Sequence, residues 1–579
     1  MVKITSNELF VLSVLCIFLL LHSNYSIISL TYGAYIKAPL SPLGPTVKDD
    51  NLSVEKVTDG LDFPTSMAFL GPNDILVTEK ETGKVIRILD GQIQDEPAID
   101  ISVANSIERG LLGIAVAKQL DGTTLVYLSY TESGNDEDGS DVEDNVDPEG
   151  NRLYSYEFVE GKLINPVLLL DLTAIPPNDR GEHNGGKIRV GPDNNVYFIV
   201  GEVGGHRTQA QNNEDGPEPN GLGGVLRITQ DGQIVKGESI FGDGSPLDLY
   251  YAMGIRNSFG MDFDPVTGNL WDTENGPTTG DEINLVYPGF NSGWSLIQGL
   301  SKNDLLENGA NPDDLVYFGK GTYSEPKISW VTPIGITALK FLNSDKLGKA
   351  YENNMFVGDI NNGLLYRFIL NEARDDLSFV RGGAELSGNT SLLADREVND
   401  PKENQPFVFG QGFGGITDIE VGPDGYLYVL SYTGSLFRII PLTSSLDSTA
   451  TATAANSNFS STVTEVQQQE EMPNVSDEDQ VVHQTDNTIP AVILGLYGEK
   501  SYSPNPITIE RGQTITWYNG DTISHTVTSG QDNDEDAGQS FDTEAIIPNQ
   551  SYSITFEDSG EYPYYCFYHP SMVGEIIVD

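Results

Sequence analysis

Apolar and polar positions alternate along most of this chain in short runs, the period-2 signature of β-strands with one buried face. Between the runs stand Gly, Pro, Asp and Asn, the residues that turn a backbone on itself. From about Val54 to Pro441 one element recurs: an apolar start, a turn, then an apolar-aromatic strand. It reads Phe69-Leu-Gly-Pro-Asn-Asp-Ile-Leu-Val-Thr, Val190-Gly-Pro-Asp-Asn-Asn-Val-Tyr-Phe-Ile, Phe263-Asp-Pro-Val-Thr-Gly-Asn-Leu-Trp and Val421-Gly-Pro-Asp-Gly-Tyr-Leu-Tyr-Val-Leu. Weaker copies begin at Thr123 and Met355. Each turn predicts a β-hairpin. Six copies, roughly 50 to 90 residues apart, predict a six-bladed β-propeller with loop insertions over residues 50–442. A parallel β-helix would need a shorter and more regular period.

Other stretches depart from this pattern. Ser133 to Gly150 is acidic and poor in apolar residues. It reads as a solvated hairpin insert, since its carboxylate spacing does not match an EF-hand. Residues 443–487 are rich in Ser, Thr, Ala, Gln and Glu and almost free of aromatics. Such a stretch cannot bury enough apolar surface to fold and reads as a disordered linker. Alternation resumes at Ile489, and the short strands that follow predict a β-sandwich over residues 488–579. The chain is therefore all-β. At the N-terminus Lys3 precedes the apolar run Leu9 to Leu21. That run is short for a membrane span and suits a signal peptide, or an N-terminal anchor, over residues 1–34. Either places the rest outside the cytoplasm, secreted or held on the outer face of the membrane.

Charge narrows the function classes. The chain of 579 residues carries 85 acidic against 32 basic side chains, a net charge of -53. Such a field repels nucleic acid, which is excluded as a partner, and favours solubility. The two cysteines are Cys16, inside the N-terminal run, and Cys566. With Cys16 removed no intramolecular disulfide can form, and a lone Cys in an exported protein calls for another reason, of which a metal bond is one.

That reason is visible in Ser524-His525-Thr526-Val527 and Tyr565-Cys-Phe-Tyr-His-Pro-Ser-Met572. Two imidazoles, one thiolate and a weak axial thioether are what type 1 (blue) copper requires, so His525, Cys566, His569 and Met572 are the candidate ligands. Structural zinc would use a fourth strong ligand in place of Met. The Cys-x-x-His-Pro-x-Met loop with His525 upstream resembles the plastocyanin/amicyanin-type cupredoxins, which implies a Greek-key sandwich and a role in electron transfer.

Three motifs cluster in the propeller region: Asn178-Asp-Arg-Gly-Glu-His-Asn-Gly-Gly-Lys187, Tyr251-Ala-Met-Gly-Ile-Arg-Asn257 and Trp271-Asp-Thr-Glu-Asn-Gly-Pro-Thr-Thr-Gly-Asp-Glu282. His183 beside Glu182 is a candidate base. Arg256 can stabilise a developing oxyanion, Asn257 can orient a polar ligand, and Gly276-Pro277 can expose carbonyls to calcium. Together with Gly60 to Phe69 and Arg109 to Ala115, the motifs resemble the soluble glucose/sorbosone dehydrogenases, propellers that use pyrroloquinoline quinone (PQQ). The resemblance implies that His183 takes the substrate hydroxyl proton and that Arg256 and Asn257 touch the quinone. It further implies that Gly276 and Pro277 hold calcium, with Asp281 and Glu282 near a second one. The sequence also departs from that pattern: Asn361, Gly415 and Thr417 stand where cations are expected, and Glu108 replaces a glutamine near the quinone. Burying a trianion without those cations is costly. The reading is an exported sugar or alcohol dehydrogenase that passes electrons to its own copper domain and on to a redox protein or membrane acceptor. The alternative is a non-catalytic carbohydrate- or calcium-binding propeller carrying a blue-copper domain.

Overall fold

The recurrent turns join the first two strands of a sheet, and their side chains explain why. Asp193 accepts the N–H of Asn195 at 3.1 Å and the hydroxyl of Tyr197 at 3.0 Å. Asp424 does the same for Tyr426 at 3.1 Å and Tyr428 at 2.9 Å. In both hairpins the tyrosine ring folds back over the motif glycine. A Cβ on Gly191 or Gly422 would meet that ring at 2.6 or 2.5 Å. Gly-Pro-Asp with Tyr at the fourth place after Asp is thus one packed unit: the acid holds the hydroxyl and the glycine makes room for the ring.

The computed structural model describes residues 40–41, 44–143, 145–175, 181–204, 212–214, 216–237, 239–307, 309–379, 395–442, 488–493, 501–519, 525–531, 537–538, 540–543, 546, 551–566 and 569–579. The signal or anchor segment 1–34 and the linker 443–487 lie outside them. The chain divides into two compact units, one ending at Pro441 and one starting at Leu442.

Among the described residues, the first unit forms six sheets. Their first strands are Pro64–Gly71, Leu111–Lys118, Ile188–Val190, Gly260–Phe263, Ile336–Phe341 and Ile416–Val421. Each touches the next, and the last touches the first, so the sheets close a ring. Closure is also covalently staggered. The strand Leu52–Thr58 pairs antiparallel with Ser435–Pro441, so the start of the unit completes the sheet built by its end. Between neighbouring sheets lie apolar cores such as Leu226, Phe198 and Phe290, or Trp330, Tyr366 and Phe368.

Charge is buried at the centre of the ring. Lys187 Nζ lies 2.5 Å from Asp418 Oδ1, whose other oxygen accepts the Ser66 hydroxyl and the Met67 N–H. Arg189 pairs with Glu420 and reaches Asp262 at 3.4 Å. Lys340 reaches Asp262 at 3.2 Å and Glu420 at 3.0 Å. Three cations and three carboxylates, brought in by four of the six first strands or the residue next to one, form a neutral buried network. Burial opposes these charges, and at two of them the partners outweigh it: Lys340 is held above its ordinary pKa, and Glu420 is pulled down to about 2 by Arg189, Lys340 and Lys187, whereas burial and the neighbouring Arg189 lower Lys187.

In the second unit two four-stranded sheets face each other. Thr488–Ile493 and Ile507–Ile509 run parallel to Thr514–Asn519 and His569–Val578, and the other pairings are antiparallel. Trp517, Tyr502 and Tyr564 fill the space between them.

Removing one partner of a buried ion pair typically costs about 3–5 kcal/mol, because the other charge is left uncompensated. Glu420→Gln should therefore lower the calorimetric transition of the propeller at neutral pH. A depressed carboxylate contributes stability above its ordinary pKa and loses it as pH falls toward its folded value. The wild type should lose this contribution between about pH 4.5 and about pH 2, and the Gln variant should show a shallower acid limb.

Candidate active site and metal centre

A cavity of about 510 Å³ opens beside the central network. It gathers Glu108, Arg256, Asn257, Gly276, Pro277, Asp281, Asn361 and Thr417, eight of the residues singled out in the sequence. Apolar walls come from Phe63, Leu112, Phe259, Pro333, Ile360 and Tyr432.

His183 is not part of that lining; it sits one hydrogen bond behind it. It is 1% exposed, with a left-handed φ of 58° that a non-glycine residue adopts only where its surroundings enforce it. Its N–H donates to Glu108 Oε2 at 2.6 Å, and the same oxygen accepts Asn257 Nδ2 at 2.9 Å. The carboxylate that engages His183 Nδ1 is Glu202, at 2.5 Å and fully buried. Sequence reading turned to the neighbouring Glu182 and missed Glu202, which lies across a tight fold of the chain. The pairing fixes the orientation of the ring. Asn178 to Arg180 of the same motif lie outside the described residues.

The acidic insert is a hairpin connection, joining the antiparallel strands Thr124–Glu132 and Gly150–Val159 with residues 135–138 exposed, but part of its described segment also makes buried contacts. Asp141, 4% exposed at its side chain, pairs with Arg109 at 2.9 Å and accepts the N–H of Asn105 at 3.0 Å. Asp138 accepts the N–H of Val103. These contacts hold the segment that carries Glu108, in which Ile107 is forced to a φ of 56°.

Sequence reasoning also missed two cations. Lys80 and Lys187 both line the cavity. Arg256 donates from Nη1 to Asn275 O at 2.8 Å and stacks on Trp294, while its buried Nε has no acceptor among the described residues. Gly415 cannot be a cation position: a Cβ there would lie 2.6 Å from Ile360 O.

The Gly276-Pro277 turn is braced by Asp281, whose carboxylate accepts the N–H groups of Gly276, Ile334, Gly335 and Ile336. Burial raises Asp281 to about 6, against the pull of those donors. With the Gly276 N–H taken and no N–H on proline, carbonyl oxygens are the polar groups this turn can offer a ligand. Glu282 points elsewhere. It shares the Ser292 hydroxyl with Glu274, and Asp272 is a further buried carboxylate beside them. Burial raises all three, Glu274 to about 7. Among the described residues no three His, Cys, Asp or Glu side chains are placed to hold one metal ion.

In the second unit Cys566 ends the strand Gly560–Cys566, and its backbone pairs with His569 across the tip of a hairpin. Cys566, His525 and Met572 are each 0% exposed. Cys566 Sγ and His525 Nδ1 are 3.7 Å apart. Metal bonds of about 2.3 Å to sulfur and about 2.0 Å to nitrogen span that gap at an open angle. The Thr526 N–H donates to Sγ at 3.3 Å, the kind of outer contact that tunes a metal site. The His569 side chain lies outside what is described.

The family model for glucose/sorbosone dehydrogenases matches residues 61–438, and that for copper-binding proteins of the plastocyanin/azurin family matches 495–579. The chain belongs to the glucose/sorbosone dehydrogenase family. It is 25% identical to quinoprotein glucose dehydrogenase B of Acinetobacter calcoaceticus, over 59% of this chain and 82% of that one. Its C-terminal part is 38% identical to amicyanin of Paracoccus versutus, over 15% of this chain and 65% of amicyanin. Among solved structures, a glucose dehydrogenase-type oxidoreductase of Thermus thermophilus superposes with a TM-score of 0.50 at 25% identity, covering 67% of this chain and all (100%) of that one.

For this dehydrogenase-cupredoxin chain, the described thiolate, imidazole and thioether donors fit type 1 copper. Copper-loaded protein should be blue, and Cys566→Ser should abolish the thiolate-to-copper absorption. Met572→Gln should retain copper at a lower potential, because the axial ligand tunes it. A colourless wild type that prefers zinc would contradict the assignment.

Proposed function

We propose that the propeller oxidises the hydroxyl of a sugar or related alcohol in the cavity beside His183, and that the electrons leave singly through the copper domain. The observation that carries this reading is the convergence of Arg256, Asn257 and Glu108 at one cavity, with the buried His183–Glu202 couple one hydrogen bond behind Glu108. The relative named above, a quinoprotein glucose dehydrogenase, supports the same chemistry.

The cavity fits PQQ on two counts. Arg256 Nε is a buried donor with no acceptor among the described residues, and Lys80 adds positive charge that Asn361, Gly415 and Thr417 lack. Arg256 and Asn257 would hold the cofactor's polar edge, and the carbonyls of Gly276 and Pro277 would hold a calcium ion against it. PQQ, when bound, supplies a two-electron acceptor. His183 takes the substrate proton at Nε2, and Glu202 stabilises the imidazolium that results. Glu108 ties His183 to Asn257 and so fixes base and cofactor contact relative to each other. His525, Cys566, His569 and Met572 hold the copper that handles one electron at a time, before a redox protein or membrane acceptor takes it. The apolar run Leu9 to Leu21 favours an extracytoplasmic setting for this chain of reactions.

The test is to load the protein with PQQ, calcium and copper and add an aldose without oxygen. The blue absorption should bleach, and an artificial acceptor should be reduced at a steady rate. His183→Ala should lower kcat about 10²- to 10⁴-fold, as loss of a general base does, with little change in PQQ affinity. If wild type binds no PQQ in calorimetry with calcium present, the binding-module reading replaces this one.

A further inference from the structure

The cavity's three cations are not equivalent. Lys187 is spent on the central network, where Asp418 and the Ser66 hydroxyl take its ammonium. Arg256 is fixed by Asn275 and Trp294. Lys80 differs from both. Its side chain is 6% exposed, yet its closest ion-pair partner is Glu81 at 3.6 Å, itself 52% exposed. Its ammonium has three donors and gives one to Asn105 O at 3.1 Å. The nearby carboxylate of Glu108 is already engaged by His183 and Asn257.

The chain around Lys80 is held in place. Its N–H donates to Phe63 O, and its carbonyl accepts the N–H of Leu111. Its ammonium lies 5.3 Å from the centre of the Phe63 ring, and Phe63 itself has a φ of 40°. A strained aromatic and a buried, under-compensated ammonium thus face one cavity. Burial pushes the lysine's pKa down, and Glu81 and Glu108 only partly oppose this. A buried cation with weak compensation is costly unless an anion completes the pair.

We propose that Lys80 is the carboxylate anchor of the cavity, pairing with an acid group of the bound cofactor. It supplies from the wall formed by Phe63 and Glu108 the charge that Asn361 and Thr417 lack. This rests on the PQQ reading above and adds to it a residue and an orientation, with one carboxylate of the tricarboxylate directed at Lys80.

Calorimetry with calcium present tests it, using PQQ and its trimethyl ester as probes on the full chain. Lys80→Met should weaken PQQ binding about 10- to 100-fold, the worth of one charge-assisted contact. Lys80→Arg should restore most of that loss, and the ester should bind wild type and the Met variant alike. Raised salt should weaken wild-type binding of PQQ more than that of the Met variant. Lys80→Gln repeats the measurement if the Met variant does not fold. Equal PQQ affinity in wild type and variant would overturn the role of Lys80 while leaving the cofactor in place. Equal losses for PQQ and ester would make Lys80 a structural residue and overturn it too. Wild type that binds no PQQ removes the cofactor reading and this one with it.

Discussion

A neutral knot of six charges at the propeller's centre is the interaction on which the rest depends. Lys187, Arg189 and Lys340 meet Asp262, Asp418 and Glu420 away from water, on strands that are far apart in the chain. An apolar centre would pack equally well against any neighbour. A buried ionic centre is satisfied only when each strand presents its own partner, because an unpaired charge there costs several kcal/mol. We read the network as a device for register around the ring. It also makes one wall of the cavity, since Lys187 belongs to both.

The site uses the rigidity this creates. His183, Ile107 and Phe63 all hold left-handed backbone angles that their side chains disfavour. Such strain persists where surrounding contacts over-determine the chain. Here the contacts are Glu108 to His183 and Asn257, Asp141 to Arg109, and the close pairing of Glu202 with His183. His183 and the carboxylate that orients it are thereby placed before any ligand arrives. The acidity of the chain is not merely surface solubility; part of it, in Asp141, Asp281 and Glu202, is turned inward to position backbone and ring.

The copper centre follows a different logic. Two of its ligand positions flank one hairpin tip, and Met572 follows on the returning strand. A hairpin fixes such spacing locally, so little of the remaining domain is needed to define it. The upstream His525 is brought in by its own bridge to Ile546. The sandwich around them excludes water from Cys566, His525 and Met572, which keeps the ligand set from rearranging as the metal changes charge.

What the sequence determined by itself is what short-range geometry encodes. The Gly-Pro-Asp turns announced the hairpins because glycine, aspartate and tyrosine interact within one turn. The Cys-x-x-His-x-x-Met loop announced copper because its donors lie on a single hairpin. Arg256, Asn257 and the Gly276-Pro277 turn were legible as motifs. Only the tertiary structure decided which groups meet. Glu202, not the adjacent Glu182, engages His183 Nδ1; Asp281 braces a turn while Glu282 faces another cluster; and Lys80 and Lys187 reach the cavity where the motif positions carry no charge. None of these follows from spacing, because each joins segments that become neighbours only when the ring closes, and the energy of a buried charge depends on those neighbours rather than on the residues beside it in the chain.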